Sequence, residues 1–175
     1  ITRADGKVGD LTLKASYANA TRQATIDLLA KEDADGIAAT LLDLPGKPPV
    51  QLAMHGSGPI DDFSTDIALA TDGQPRLTGN VKLGSKTVAS GKQTERRFAL
   101  KLAGDISPLL QPAYRDFFGT SVSLEAEGVD IPGVRTDLTR LVLDSAGVDL
   151  TGRLNLSPER VPLGAALTVR LGLAD

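Results

Sequence analysis

Five places in this sequence carry residue types able to do chemistry. The lone histidine, His55, stands where an alternating run meets Gly56-Ser57-Gly58. As a general base or nucleophile partner it would need Ser57 or Asp61 beside it and a third group to orient the ring. The spacing supplies no such triad. Gly56-Ser57-Gly58 also lacks the Gly-x-Ser-x-Gly spacing of a strand-to-helix elbow, so it reads as a polar strand end and a glycine turn. Gly79 and Gly84 with Ser85-Lys86-Thr87 resemble a phosphate-cradling loop, but Lys86 does not follow Gly84 directly and no helical pattern follows whose N-terminus could face a phosphate. Asp33-Ala34-Asp35-Gly36 opens like a calcium loop yet lacks the later ligands and the distant bidentate glutamate. It reads instead as a helix start, where acidic residues meet the positive end of the helix dipole. Asp61-Asp62 after Gly58-Pro59 reads as turn chemistry, and the charged cluster from Lys92 to Arg97 as a solvated loop and strand end. No catalytic residue, metal site or cofactor is expected, and the chain is read as a non-enzyme.

Composition narrows the classes further. A 175-residue chain can bury a sizeable single core. Its apolar fraction is an ordinary 41%, but aromatics make up only 3%, so what is apolar here is aliphatic. Formal charge is −3 with both signs interspersed, which leaves no basic stripe to neutralise phosphates and makes nucleic acid an unexpected partner. With no cysteine there can be no disulfide, zinc–thiolate cluster or thiol catalysis, and the compartment stays open. No stretch approaches the roughly 20 apolar residues that span a bilayer, and Ile1 does not begin a secretory leader, so the sequence is expected to be cut from something longer.

Period-2 alternation dominates, the signature of strands with one apolar and one polar face. Leu11, Leu13, Ala15 and Tyr17 alternate first, then Ala24, Ile26 and Leu28. Val50, Leu52 and Met54 follow, with Ile67 and Leu69, then Leu77, Val81 and Leu83 in phase with Gly79. Phe98, Leu100 and Leu102 alternate with Ala99, Lys101 and Ala103. Val122 and Leu124, Leu141 and Leu143, Val148, Leu150 and Leu154, and Leu167, Val169 and Leu171 complete the set. Asp72-Gly73 and Ala146-Gly147 read as tight connections. Strands joined so closely pair antiparallel, because parallel pairing needs a crossover of about a dozen residues.

Two segments break the pattern. From Gly36 to Leu44, residues Ile37, Leu41 and Leu44 fall on one helical face before Pro45 stops the helix. Ser107-Pro108 offers a second start and Gln111-Pro112 a third, with Leu110, Tyr114, Phe117 and Phe118 on one face and Gly119 as the stop. These parts recur in order. Leu77-Thr78-Gly79-Asn80-Val81-Lys82-Leu83 is echoed 73 residues later by Leu150-Thr151-Gly152-Arg153-Leu154-Asn155-Leu156. Leu41-Leu42 and Leu109-Leu110 lie 68 apart, and the strands after them 72 apart. The whole of 1–175 therefore reads as one segment with an internal repeat of about 73 residues, near 22–90 and 96–173, as in arrays whose units stack on their neighbours.

An apolar sheet face must be covered by helices, another sheet or a ligand. Two short helices of roughly 10 to 15 Å cannot cover some eight or nine strands. Composition alone favours a packed β-sandwich or solenoid with Leu and Val inside. The other outcome is a trough left partly open, suited to acyl chains, since each methylene withdrawn from water contributes roughly 0.8 kcal/mol without needing a directional partner.

Family resemblance favours the trough. His55-Gly56-Ser57-Gly58-Pro59-Ile60-Asp61-Asp62-Phe63, followed by an alternating strand and Leu77-Thr78-Gly79, resembles the Gly-x-Gly-Pro-Leu-x-x-(Trp/Phe) element of the TamB and AsmA-like family. Ile106 to Gly119 is similar to the short helix that interrupts the sheet in proteobacterial members, and Leu138 to Leu154 fits as well. The resemblance implies an all-β fold with two short helices, antiparallel strands forming a curved, groove-like, taco-shaped repeat sheet. It also implies a periplasmic segment of a parent anchored in the inner membrane, shielding phospholipid acyl chains on their way to the outer membrane and supporting outer-membrane protein assembly. The parent's partner would be TamA, an outer-membrane barrel of the Omp85 class, with outer-membrane proteins as clients. A chaperone-like scaffold that templates client β-strands is the alternative. The lining expected for a lipid groove is Ile26, Leu28, Leu52, Met54, Ile67, Leu69, Leu77, Val81 and Leu83 in the first half, and Phe98, Leu100, Leu102, Val122, Leu124, Leu141, Leu143, Leu150, Leu154, Leu167 and Val169 in the second.

Overall fold

The computed structural model describes residues 9–87 and 93–172; Lys92 and the last residues of both expected repeat units lie outside them. Ten strands follow one another in chain order through one antiparallel sheet: β1 (Gly9–Ala18), β2 (Gln23–Glu32), β3 (Val50–Pro59), β4 (Asp62–Thr71), β5 (Gln74–Thr87), β6 (Thr94–Gly104), β7 (Val122–Ile131), β8 (Arg135–Asp144), β9 (Val148–Leu156) and β10 (Pro162–Leu171). The meander follows from the connections. At Asp72-Gly73 both residues have positive φ, +53° and +70°, the geometry of a two-residue turn that matches strand twist.

The sheet is curved and does not close, since β1 pairs only with β2 and β10 only with β9. It has one layer: beyond marginal contacts, each strand touches only its hydrogen-bonded neighbours. The packed sandwich that composition favoured is not formed. Among the described residues there are too few rings, and no second sheet, to fill an interior. Among the described residues the buried apolar side chains are Ala39, Leu44, Val50, Val122 and Val148, all at one end of the sheet.

That end carries both helical insertions, because β2 and β6 run in the same direction and the insertions follow them. Helix α1 (Ile37–Leu41) lies in the first, and a 3-10 turn (Ser107–Leu109) followed by α2 (Pro112–Phe118) in the second. The element order strand, helix, three strands thus occurs at β2–β5 and again at β6–β9. Leu109 of the second insertion packs on the Ala39, Leu44 and Val50 cluster of the first, so the two meet along one rim.

Both helices differ from expectation in detail. Helix α1 stops at Leu41, and Asp43 takes a left-handed φ of +50°, so Leu44 does not continue the stripe with Ile37 and Leu41. Ile37 and Leu41 are largely exposed while Ala39 is buried, because only a small side chain allows so short a helix to lie close on the sheet. Its first turn is served by Glu32, whose carboxylate accepts a bond from the Ala38 amide at 2.7 Å. In the second insertion Pro112 holds Gln111 extended, which separates Leu110 from the helical face. Gly119 ends α2 at φ +67°, where a left-handed residue was expected.

Candidate functional site

In an antiparallel sheet, directly paired residues project to the same side. The register therefore tests which side chains share a face, and it aligns one row through all ten strands: Leu13, Leu28, Met54, Ile67, Gly79, Leu102, Leu124, Leu143, Leu150 and Val169. Only Gly79 lacks an apolar side chain, and Leu102 leans over it. A parallel row holds Leu52, Leu69, Leu77 and Val122; another holds Ile26, Val81, Leu100, Leu141 and Leu167; a fourth holds Leu83, Phe98 and Leu154. Every residue expected from sequence to line a groove lies on this face. Ten strands at about 4.8 Å spacing make it roughly 45 Å across.

The face is not filled by the protein's own atoms. Of the expected lining residues only Val122 is buried, beneath the helical rim. Leu83, Leu167 and Val169 are about half exposed, at 48%, 52% and 50%, and the rest are half-buried by their lateral neighbours. Phe63 also belongs to this face, opposite Leu83, and was missed because Thr65 interrupts its alternation with Ile67 and Leu69.

Glycines on the apolar side report the bend. A Cβ at Gly79 would come within 2.0 Å of the Lys101 carbonyl oxygen and 2.6 Å of Leu102 Cδ2. At Gly152, the equivalent place in the second Leu-Thr-Gly, it would meet Leu167 Cδ2 at 2.4 Å and the Ala166 carbonyl oxygen at 2.6 Å. In both units the neighbouring strand leans over the apolar side, so that side is the concave one. The sequence displayed the repeated Leu-Thr-Gly but not this reason for it.

The convex side is the more polar one. One row runs Lys14, Asp27, His55, Asp66, Asn80, Lys101 and Glu125. His55 bonds Asp27 through Nδ1, a partner 28 residues away, and neither Ser57 nor Asp61 serves it. Asn80 donates to Asp66 at 2.7 Å, and Lys101 and Arg140 both reach Glu125. Such solvated pairs contribute little each, but they fix register and hold this side in water. The phosphate-loop resemblance dissolves, since Gly79 to Thr87 lies inside β5. Among the described residues no three His, Cys, Asp or Glu side chains converge as metal ligands would, and Asp33 and Asp35 stand in the bend before α1.

Glu125 is held below the ordinary glutamate range, first by its bond from Arg140 and then by Lys101. A carboxylate depressed in the folded state contributes stability above its unfolded-state value and loses it as pH falls through the folded one. Glu125→Gln is therefore expected to make the loss of stability on acidification slightly shallower. Denaturation midpoints compared across the acid range check this; an unchanged slope would show that the pairs are energetically silent.

Comparison of the chain with protein-family models, with curated proteins and with solved structures finds no match in any of the three. Among the described residues, no helix is long and apolar enough to cross a membrane.

Proposed function

We propose that this chain is a non-catalytic segment of a periplasmic conduit of the TamB and AsmA-like kind, whose concave face shields phospholipid acyl chains. The observation that carries the reading is a row through ten strands, aliphatic at every position but Gly79, on a face that no second layer covers among the described residues. Monomeric proteins rarely leave apolar patches beyond a few hundred Å² without a use, and a single-layer face roughly 45 Å wide exceeds that several-fold. Its chemistry selects the guest. Protein interfaces are anchored by Tyr, Trp and Arg, whereas the rings on this face are Tyr17, Phe63 and Phe98 and most of its other large side chains are Leu, Ile, Val and Met. Acyl chains ask only for aliphatic surface and exclusion of water. Equivalent positions recur every strand, so a chain can shift along the face at little cost.

In this reading the parent is held in the inner membrane and delivers lipid toward an outer-membrane barrel such as TamA. Both sheet edges, β1 and β10, are places where further strands of the same array would continue it. Those open edges favour one second reading, a scaffold on which client outer-membrane strands pair. A charge on the concave face tests the first: the chain carrying Val81→Asp and Leu154→Arg should lose the phospholipid that the unaltered chain retains through purification. Undiminished retention in a folded variant contradicts it.

A further inference from the structure

The two helical insertions occupy the same place in successive units but fill it differently. In the second, Phe117 and Phe118 pack edge to face with centroids 5.3 Å apart, and Phe117 lies so close over Gly147 that a Cβ there would meet its ring at 2.9 Å. Val122 and Val148 are buried at that end of their strands. The opening left beside α2 is lined by polar groups such as Ser107, Arg115, Asp116 and Asp144. In the first insertion the corresponding helix carries Ala38 and Ala39, and a pocket of about 330 Å³ remains between α1 and the ends of β1–β4. Ile37 and Leu42 form its outer wall, Ala38 its helical side, and Leu11, Leu52 and Leu69 its floor.

We propose that this pocket holds the methyl end of one unbranched aliphatic chain, making α1 a fixed station on the trough. The claim rests on the acyl-chain reading above and adds to it where a chain stops. Volume is adequate, since 330 Å³ falls at the lower end of the range for small-ligand sites. The lining offers nothing to a headgroup. Among the described residues no buried side-chain polar atom lacks a partner, and the Glu32 carboxylate at the rim already accepts the Ala38 amide. The charged side chain on the pocket's own side of the sheet is Glu32, and its negative charge turns away a phosphate or carboxylate and sets the chain methyl-end inward. Leu52 and Leu69 belong to a row that continues along the concave face, so the rest of the chain has aliphatic surface to lie on.

The experiment uses the purified chain and a palmitic acid analogue with a diazirine at its methyl end. On irradiation, adducts should concentrate on Ile37 to Leu42 and on the facing ends of β3 and β4. Ala38→Phe, which puts a ring into the pocket, should abolish those adducts while sparing any elsewhere on the face. Leu42→Asp places a charge at a position 60% exposed, where folding tolerates it, and should have the same effect, so the outcome does not depend on Ala38→Phe folding. Adducts spread over other rows but absent at α1, or unmoved by Leu42→Asp, overturn the station and leave the trough reading intact. No adduct anywhere on the concave face overturns both.

Discussion

Val81→Asp combined with Leu154→Arg is expected to strip bound phospholipid from the chain while leaving the sheet folded. Both residues lie on the concave side, in adjacent rows, on β5 and β9, and both are half-buried only by lateral neighbours. No second layer presses on them, so a charged side chain can keep its water. That water is what removes the guest. A hydrated carboxylate or guanidinium holds an acyl chain off its surroundings, and loss of about four methylene contacts at roughly 0.8 kcal/mol each is about 3 kcal/mol, or roughly a hundredfold in retention. Lys82→Asp with Thr151→Arg alters charge on the convex side, one residue from Val81 and three from Leu154, and should leave retention unchanged. Lipid phosphorus per mole of purified chain is the readout, with circular dichroism confirming the fold. Equal loss in both double variants would mean that the concave face does not control binding.

The largest effect on stability is expected from Gly79→Val. Its Cβ would meet the Lys101 carbonyl oxygen at 2.0 Å and Leu102 Cα at 2.9 Å, and those are backbone atoms of an interior strand that cannot swing aside. Overpacking of this kind typically costs 1–3 kcal/mol, and a backbone clash belongs at or above the top of that range, so a loss of about 3 kcal/mol is expected. For a chain of this size that is a fall in Tm of roughly 6–12 °C. Gly152→Val should cost less, because its neighbours Ala166 and Leu167 belong to β10, an edge strand free to yield. Gly164→Val meets only Asn155 Oδ1 at 3.8 Å and should be near neutral. The order Gly79, Gly152, Gly164 is the content of the prediction. A Gly79→Val chain as stable as Gly164→Val would show that the concave bend does not depend on close strand approach at that glycine.

Much of this architecture was legible because period-2 alternation is set by the backbone itself. Wherever apolar residues kept strict phase, as at Leu77, Val81 and Leu83 or Leu167 and Val169, the sequence placed them on the correct common face. Where a bulge shifts the phase the signal weakened: Leu138 and Leu141 share the concave side only because the β8–β9 pairing is irregular between them. Turn chemistry was equally readable at Asp72-Gly73 and Gly119, each needing positive φ. What stayed hidden depends on distant partners. Asp27 bonds His55 and Glu32 serves α1 through contacts that no local spacing encodes. The facing of α1 was misjudged because amphipathic spacing assumes a helix long enough to bury a stripe, whereas five residues bury one alanine. Composition pointed to a packed sandwich, and nothing in residue counts distinguishes a face packed on a second sheet from one left open.

A photoreactive amino acid in place of Leu100, near the middle of the concave face, tests most directly whether that face has room for a guest. Irradiated in living bacteria, it should yield phospholipid adducts, while the same group at Lys101, one residue along and on the opposite side, should yield none. Adducts with protein alone at Leu100, or no adduct at either position in a folded chain, would contradict the account.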